Sequence, residues 1–194
     1  MAQYYYLVAS LPLLFYDTER FPSRVAFLEQ CEQHISSTNF RLLAAASITE
    51  LKPVSPICRS LELWRRWEIA LRNELAALRG KAKGVEADAY RLDAPDIIEA
   101  QTAAREAFAK AGGQATGAES PLQAEETLNL ARWGYLDQLE VGHYFDIDRL
   151  VVYVLRLQLL ERKALFDEQK GREMFDTVYG EITRPIGDIA HGKA

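Results

Sequence analysis

Apolar positions recur at helical spacing along most of the 194-residue chain. The clearest stretch predicts a helix over 57–80, where Leu61, Trp64, Leu71, Leu75 and Leu78 form one stripe and Glu68 fills the remaining slot. A carboxylate in an apolar seam is costly unless paired. Arg72 stands one turn further on, at the spacing that joins side chains on a helix face. Gly80 and Gly84, with Lys81 and Lys83, are closing signals for this helix. Later in the chain, Leu150, Val151, Val152, Val154, Leu155, Leu157, Leu159 and Leu160 cover nearly the whole circumference of a helix. That helix is expected to start at Asp146 or Asp148, to run to Phe166 and to lie at the centre of the core. Asp146 and Asp148 read as helix caps at the positive end of the dipole in preference to a catalytic pair.

The remaining pattern is also helical. Phe21 to His34 predicts a helix with Pro22 in its first turn, and the polar run Ser36 to Asn39 separates it from another over 40–51. Pro53 and Pro56 mark a turn. Asp93 to Asp96 caps a helix through Ala111, and Pro121 opens one that buries Leu122, Leu128, Trp133 and Leu136 before Gly142. A last helix is expected from Asp167 to Tyr179. Lys110 to Pro121 lacks bulky apolar residues and reads as a flexible connection. The expected fold class is therefore all-α, built of helical-bundle modules: a first over 1–111, a linker over 112–120 and a second over 121–194. A repeat at an offset of 77 residues matches Leu78-Arg79 to Leu155-Arg156 and Leu75 to Val152, and each of the two helices carries a basic trio spaced by seven: Arg65, Arg72 and Arg79, then Arg149, Arg156 and Lys163. Spacing by seven puts each trio on one face. The pattern fits either a duplicated module with a basic stripe or two ordinary solvated faces.

Charge and chemistry narrow the function classes. The net charge is −5 and the pI about 5.3, which disfavours nucleic acid and anionic lipid as partners. The opening MAQYYYLVASLPLLFYD has no Lys or Arg ahead of its apolar run and carries Pro12 inside it, unlike an export signal. Arg156 and Gln158 interrupt the run from Leu150 to Leu160, which is too short to span a bilayer. Those features predict a soluble chain. Cys31 and Cys58 read as reduced, buried thiols. Cys31-x-x-His34 has ligand-like spacing but no second pair nearby, so no metal is expected. Neither a phosphate-cradling glycine loop nor a Gly-x-Ser-x-Gly elbow occurs in the sequence. No catalytic, cofactor-binding or metal-ligating residue is assigned, and an enzyme using Cys31 or Cys58 stays open as a rival.

Three segments resemble a known family. ALRNELAALRGKAKG, Ala70 to Gly84, resembles the Leu-Arg-Asn…Leu-Arg-x-Lys helix of the C-type connector of V/A-type ATPases, called the d-type connector in vacuolar ATPases. YFDIDRLVVYVLRLQ, Tyr144 to Gln158, is similar to the family's acidic-start helix. YYYLVASLP, Tyr4 to Pro12, resembles its opening helix and is closer still to a bacterial group associated with V-type ATPase gene clusters. Members of the connector family have three modules, whereas this chain has room for about two, and Arg149-Leu150 stands where an Asn is common. The resemblance implies a shortened, non-catalytic central-stalk connector between the rotor shaft and the membrane ring of a bacterial V/A-type ATPase. It implies a cytoplasmic location, peripheral to the membrane through that complex, with no cofactor and no direct membrane insertion. Arg72, Arg79, Arg149 and Arg156 are then the candidate partner-interface residues. A free-standing helical adaptor is the alternative.

Overall fold

A computed structural model of the chain describes residues 4–53, 58–86, 90–92, 102, 104–106 and 121–166. The protein is all-α, and among the described residues no strand occurs. Six helices have described bounds: α1 Tyr5–Ser10, α2 Arg24–Glu32, α3 Ser37–Ala45, α4 Arg59–Lys83, α5 Pro121–Glu140 and α6 Ile147–Leu165. Met1–Glu161 form one compact unit, and Arg162–Ala194 a second. The first unit takes in α1 to α5 and nearly all of α6, so elements on both sides of the expected linker share one core. The linker 112–120 itself, most of the helix expected over 93–111 and the helix expected after Asp167 lie outside the described residues.

The opening segment is a helix, though only six residues long. Two boundaries are corrected by capping. Ser23, not Pro22, starts α2: its hydroxyl accepts from the Ala26 N–H, and Pro22 stands before the cap. Ser36 does the same for α3 through the Asn39 N–H, so that helix starts within the run read as a polar break. α4 runs for 25 residues and ends at Gly84, whose φ of 66° is the left-handed geometry that closes a helix. Gly142, at φ 85°, turns the chain between α5 and α6 in the same region of backbone space.

α6 is the centre of the core, as its all-round apolar sequence requires. Ten of its residues are buried, including every apolar side chain from Leu150 to Leu160. Its neighbours meet it on all sides. The Tyr153 ring lies tilted against Phe27 of α2 at 4.9 Å, and its hydroxyl donates to the Pro12 carbonyl. The Gln158 amide donates to the Ala46 carbonyl and accepts from the Ile48 N–H, holding the segment after α3. A carboxylate oxygen of Glu161 accepts from the Arg24 N–H in the first turn of α2. α4 packs on α5, where the Trp67 and Tyr135 rings stack 4.5 Å apart and nearly parallel.

The repeat at 77 residues does not carry through to burial. Leu155 is fully buried in mid-helix, whereas Leu78 is half-buried near the end of α4. Arg79 is exposed and Arg156 is buried. Leu155→Ala is expected to lower stability by roughly 2–5 kcal/mol, the range for a large-to-small change in a packed core. Gly84→Ala has open space for its methyl and loses only the left-handed backbone preference, about 1 kcal/mol. Urea titrations of the two variants check both the order and the gap.

Candidate functional site

Glu68 meets no water at all, and its pairing is wider than the Arg72 contact that the spacing predicts. The Arg72 Nε donates to one of its oxygens at 2.9 Å. Arg132 of α5 reaches both oxygens, Nε at 3.0 Å and Nη2 at 3.1 Å. Arg132 is itself only 5% exposed, and its remaining nitrogen donates to Glu125 and Asn129. Burial disfavours the charged guanidinium, but Glu68 and Glu125 outweigh that and hold the group above its ordinary value. The sequence held a signal for this pair. Arg132 interrupts the Leu128–Leu136 stripe of α5 as Glu68 interrupts that of α4.

The four candidate interface arginines are spread over different environments. Arg72 also donates to the Ile48 and Thr49 carbonyls, and so ties the segment before α4 to that helix. Its neighbour Asn73 clamps Leu92 through two hydrogen bonds, amide to carbonyl and N–H to amide oxygen. Arg149 pairs with Glu140. Arg156, with its side chain 7% exposed, pairs with Asp137 and Glu140 at 2.5 Å and lies over the Trp133 ring. Arg79 alone of the four is exposed. The basic faces therefore work inside the fold at three of the four positions.

Asp146 and Asp148 both cap helices, but different ones. The Asp146 Oδ1 accepts from the Arg149 N–H and starts α6. The Asp148 Oδ1 reaches across to α4, whose first turn has no side-chain cap of its own. It accepts from the Ser60 N–H at 2.9 Å and from the Cys58 thiol at 3.2 Å. Burial opposes ionisation of Asp148, yet the hydrogen bonds from Ser60 and Cys58 prevail and hold its carboxyl below the usual value. Burial pushes both thiols, Cys31 and Cys58, up to about 12, so each is protonated and a weak nucleophile at neutral pH.

A groove of about 660 Å³ opens beside α1. α1 and the segment after it supply Val8, Leu11 and Leu13, and the turn from α5 to α6 supplies Val141, Tyr144 and Phe145. Asp137, Glu140 and Arg149 add charge to its wall. Leu13, Val141 and Tyr144 are each more than two-thirds exposed. The Tyr4 N–H donates to the Phe145 carbonyl, and the Tyr5 and Phe145 rings lie 4.3 Å apart, which fixes α1 against the turn. An apolar groove with a charged wall suits a protein partner. The cleft beside Trp64, about 20 Å³, has room for a water at most.

Residues 59–186 match the family described as "Protein of unknown function (DUF2764)". The chain belongs to this family. The matched span opens at the first residue of α4 and includes α5 and α6, and so holds the Glu68–Arg132 pair and both aspartate caps. α1 to α3 precede the span. No curated protein and no solved structure matches the chain.

Leaving one member of the buried pair alone strands a charge. Arg132→Ala is expected to cost about 3–5 kcal/mol, and the Glu68→Ala/Arg132→Ala double variant less than the sum of the singles. A thermodynamic cycle from chemical denaturation measures the coupling. Asp148 makes stability depend on acid. Its folded value lies below its unfolded one, so its contribution is complete above the ordinary carboxylate range and is lost as pH falls through the folded value. Asp148→Asn is expected to flatten the acid limb of a stability–pH curve. Both thiols of the native protein are expected to resist a neutral-pH thiol reagent until denaturant is added; rapid labelling of either would refute the buried, protonated assignment.

Proposed function

We propose that this chain is a non-catalytic connector in the central stalk of a bacterial V/A-type ATPase, handing rotation between the shaft and the membrane ring. The groove carries the reading: an apolar, aromatic surface held by a stiff helical body is what a mechanical coupler offers a partner. The segments that carry the resemblance also converge. Tyr4 and Tyr5 contact Phe145, and Asp148 caps α4, the helix that contains most of Ala70 to Gly84. Among the described residues no helix is long and apolar enough to cross a membrane, in keeping with a part that reaches the ring through protein contacts.

The groove replaces the arginine stripe as the first surface to test. Arg72, Arg149 and Arg156 are occupied by Glu68, Glu140 and Asp137, which leaves Arg79 as the exposed basic candidate. That same occupation favours the second reading, a free-standing adaptor that docks by its apolar face without a charge-matched rotor contact.

Tagged full-length chain, purified from its host, separates the two. The connector reading expects stoichiometric recovery with the ATPase and, on deletion of the chain, hydrolysis uncoupled from ion movement. Val141→Glu with Tyr144→Glu should abolish recovery while circular dichroism stays unchanged. A complete complex that couples normally without this chain refutes the connector; recovery with a different assembly supports the adaptor.

A further inference from the structure

We infer that His143, Asp146 and Asp148 form a site for one divalent transition-metal ion of the zinc type. A ligand atom from each lies within 4.8 Å of the ligand atoms of the other two, close enough for one ion to bridge. All three side chains are half-buried, which limits competing water without sealing the site. The spacing His143-x-x-Asp146-x-Asp148 wraps the turn before α6 and its first residues, and Gly142 at φ 85° lets the chain enter that turn.

The donors are held as ligands are held. The Arg149 N–H fixes Asp146, while the Ser60 N–H and the Cys58 thiol fix Asp148. The His143 Nδ1 lies 2.7 Å from the second oxygen of Asp146. Arg149, the cation nearest in sequence, is taken by Glu140 and leaves the two aspartates without a guanidinium partner in the pairs described. Imidazole with two carboxylates suits zinc or manganese better than magnesium or calcium, which favour all-oxygen sets. Three protein ligands leave a further position for water or for a partner's side chain. His143 also lines the groove, which places the site at its rim. The Cys58 thiol donates to Asp148 and orients it, and it lies outside the group of three ligand residues. Capping explains the placement of Asp146 and Asp148, and the imidazole hydrogen-bonds Asp146 at the position where an ion would sit between them.

The inference is independent of the connector reading. Chelator-stripped, full-length protein is titrated calorimetrically with zinc chloride, with magnesium and calcium chlorides alongside. The expected result is one zinc bound, with the melting temperature raised by its binding to the folded state. His143→Gln should weaken zinc by at least about 10-fold, and Asp146→Asn, which keeps a good capping side chain, should do the same. Both variants should melt near the wild type without zinc. His34→Gln, on an exposed residue after α2, should bind as the wild type does. Cobalt in place of zinc should give no thiolate charge-transfer band. Absence of zinc uptake, uptake unchanged in both site variants, equal loss in His34→Gln, or a thiolate band would overturn the assignment.

Discussion

Everything in this fold answers to the burial of α6. A helix apolar on every side has no face for solvent and is stable only inside a ring of neighbours. α2, α4, α5 and the segments after α1 and α3 supply that ring. The polar groups that α6 does carry act as ties. Asp148 caps α4, Gln158 satisfies two backbone groups after α3, Glu161 takes the first N–H of α2, and Arg156 gathers two carboxylates of α5. Each tie fixes the register of a neighbour that apolar contact alone would leave free to slide.

The Glu68–Arg132 pair does the same between α4 and α5. Buried ion pairs contribute little net stability relative to a well-packed apolar pair, because two charges must lose their water. What the pair does is penalise misplacement: any rotation of α5 that parts Arg132 from Glu68 strands both charges. Stacked Trp67 and Tyr135 give the same interface dispersion and shape, and the ion pair selects one arrangement of it. A body held this way transmits displacement with little internal give.

Stiffness and exposed apolar surface meet at the turn between α5 and α6. Gly142 bends the chain, Asp146 starts α6, and Phe145 receives α1, so the groove walls are set by the same contacts that hold the core. Occupation of His143, Asp146 and Asp148 by a metal ion would stiffen that turn further, because Asp148 already links it to α4. The buried thiols have a different part. Cys31 is core volume, and Cys58 donates to a carboxylate.

Helix content, the centrality of α6 and the Glu68–Arg72 contact were all legible in the sequence, because periodicity, complete apolar cover and i,i+4 spacing are local properties. So were the closing of α4 at Gly84 and the capping character of Asp146 and Asp148. The tertiary structure decided the rest. Only packing brings Arg132 onto Glu68, sixty-four residues away. Only packing turns Asp148 to the start of α4 instead of its own helix, pairs Arg149 with Glu140 and takes Arg156 out of solvent. The division at 112–120 was read from a composition shift, but helices on either side of it share a core, since a core is assembled by contact and composition records only local freedom. The physical reason is the same throughout: spacing along one chain fixes which side chains share a face, and the partner of that face is fixed by which burials close together in space.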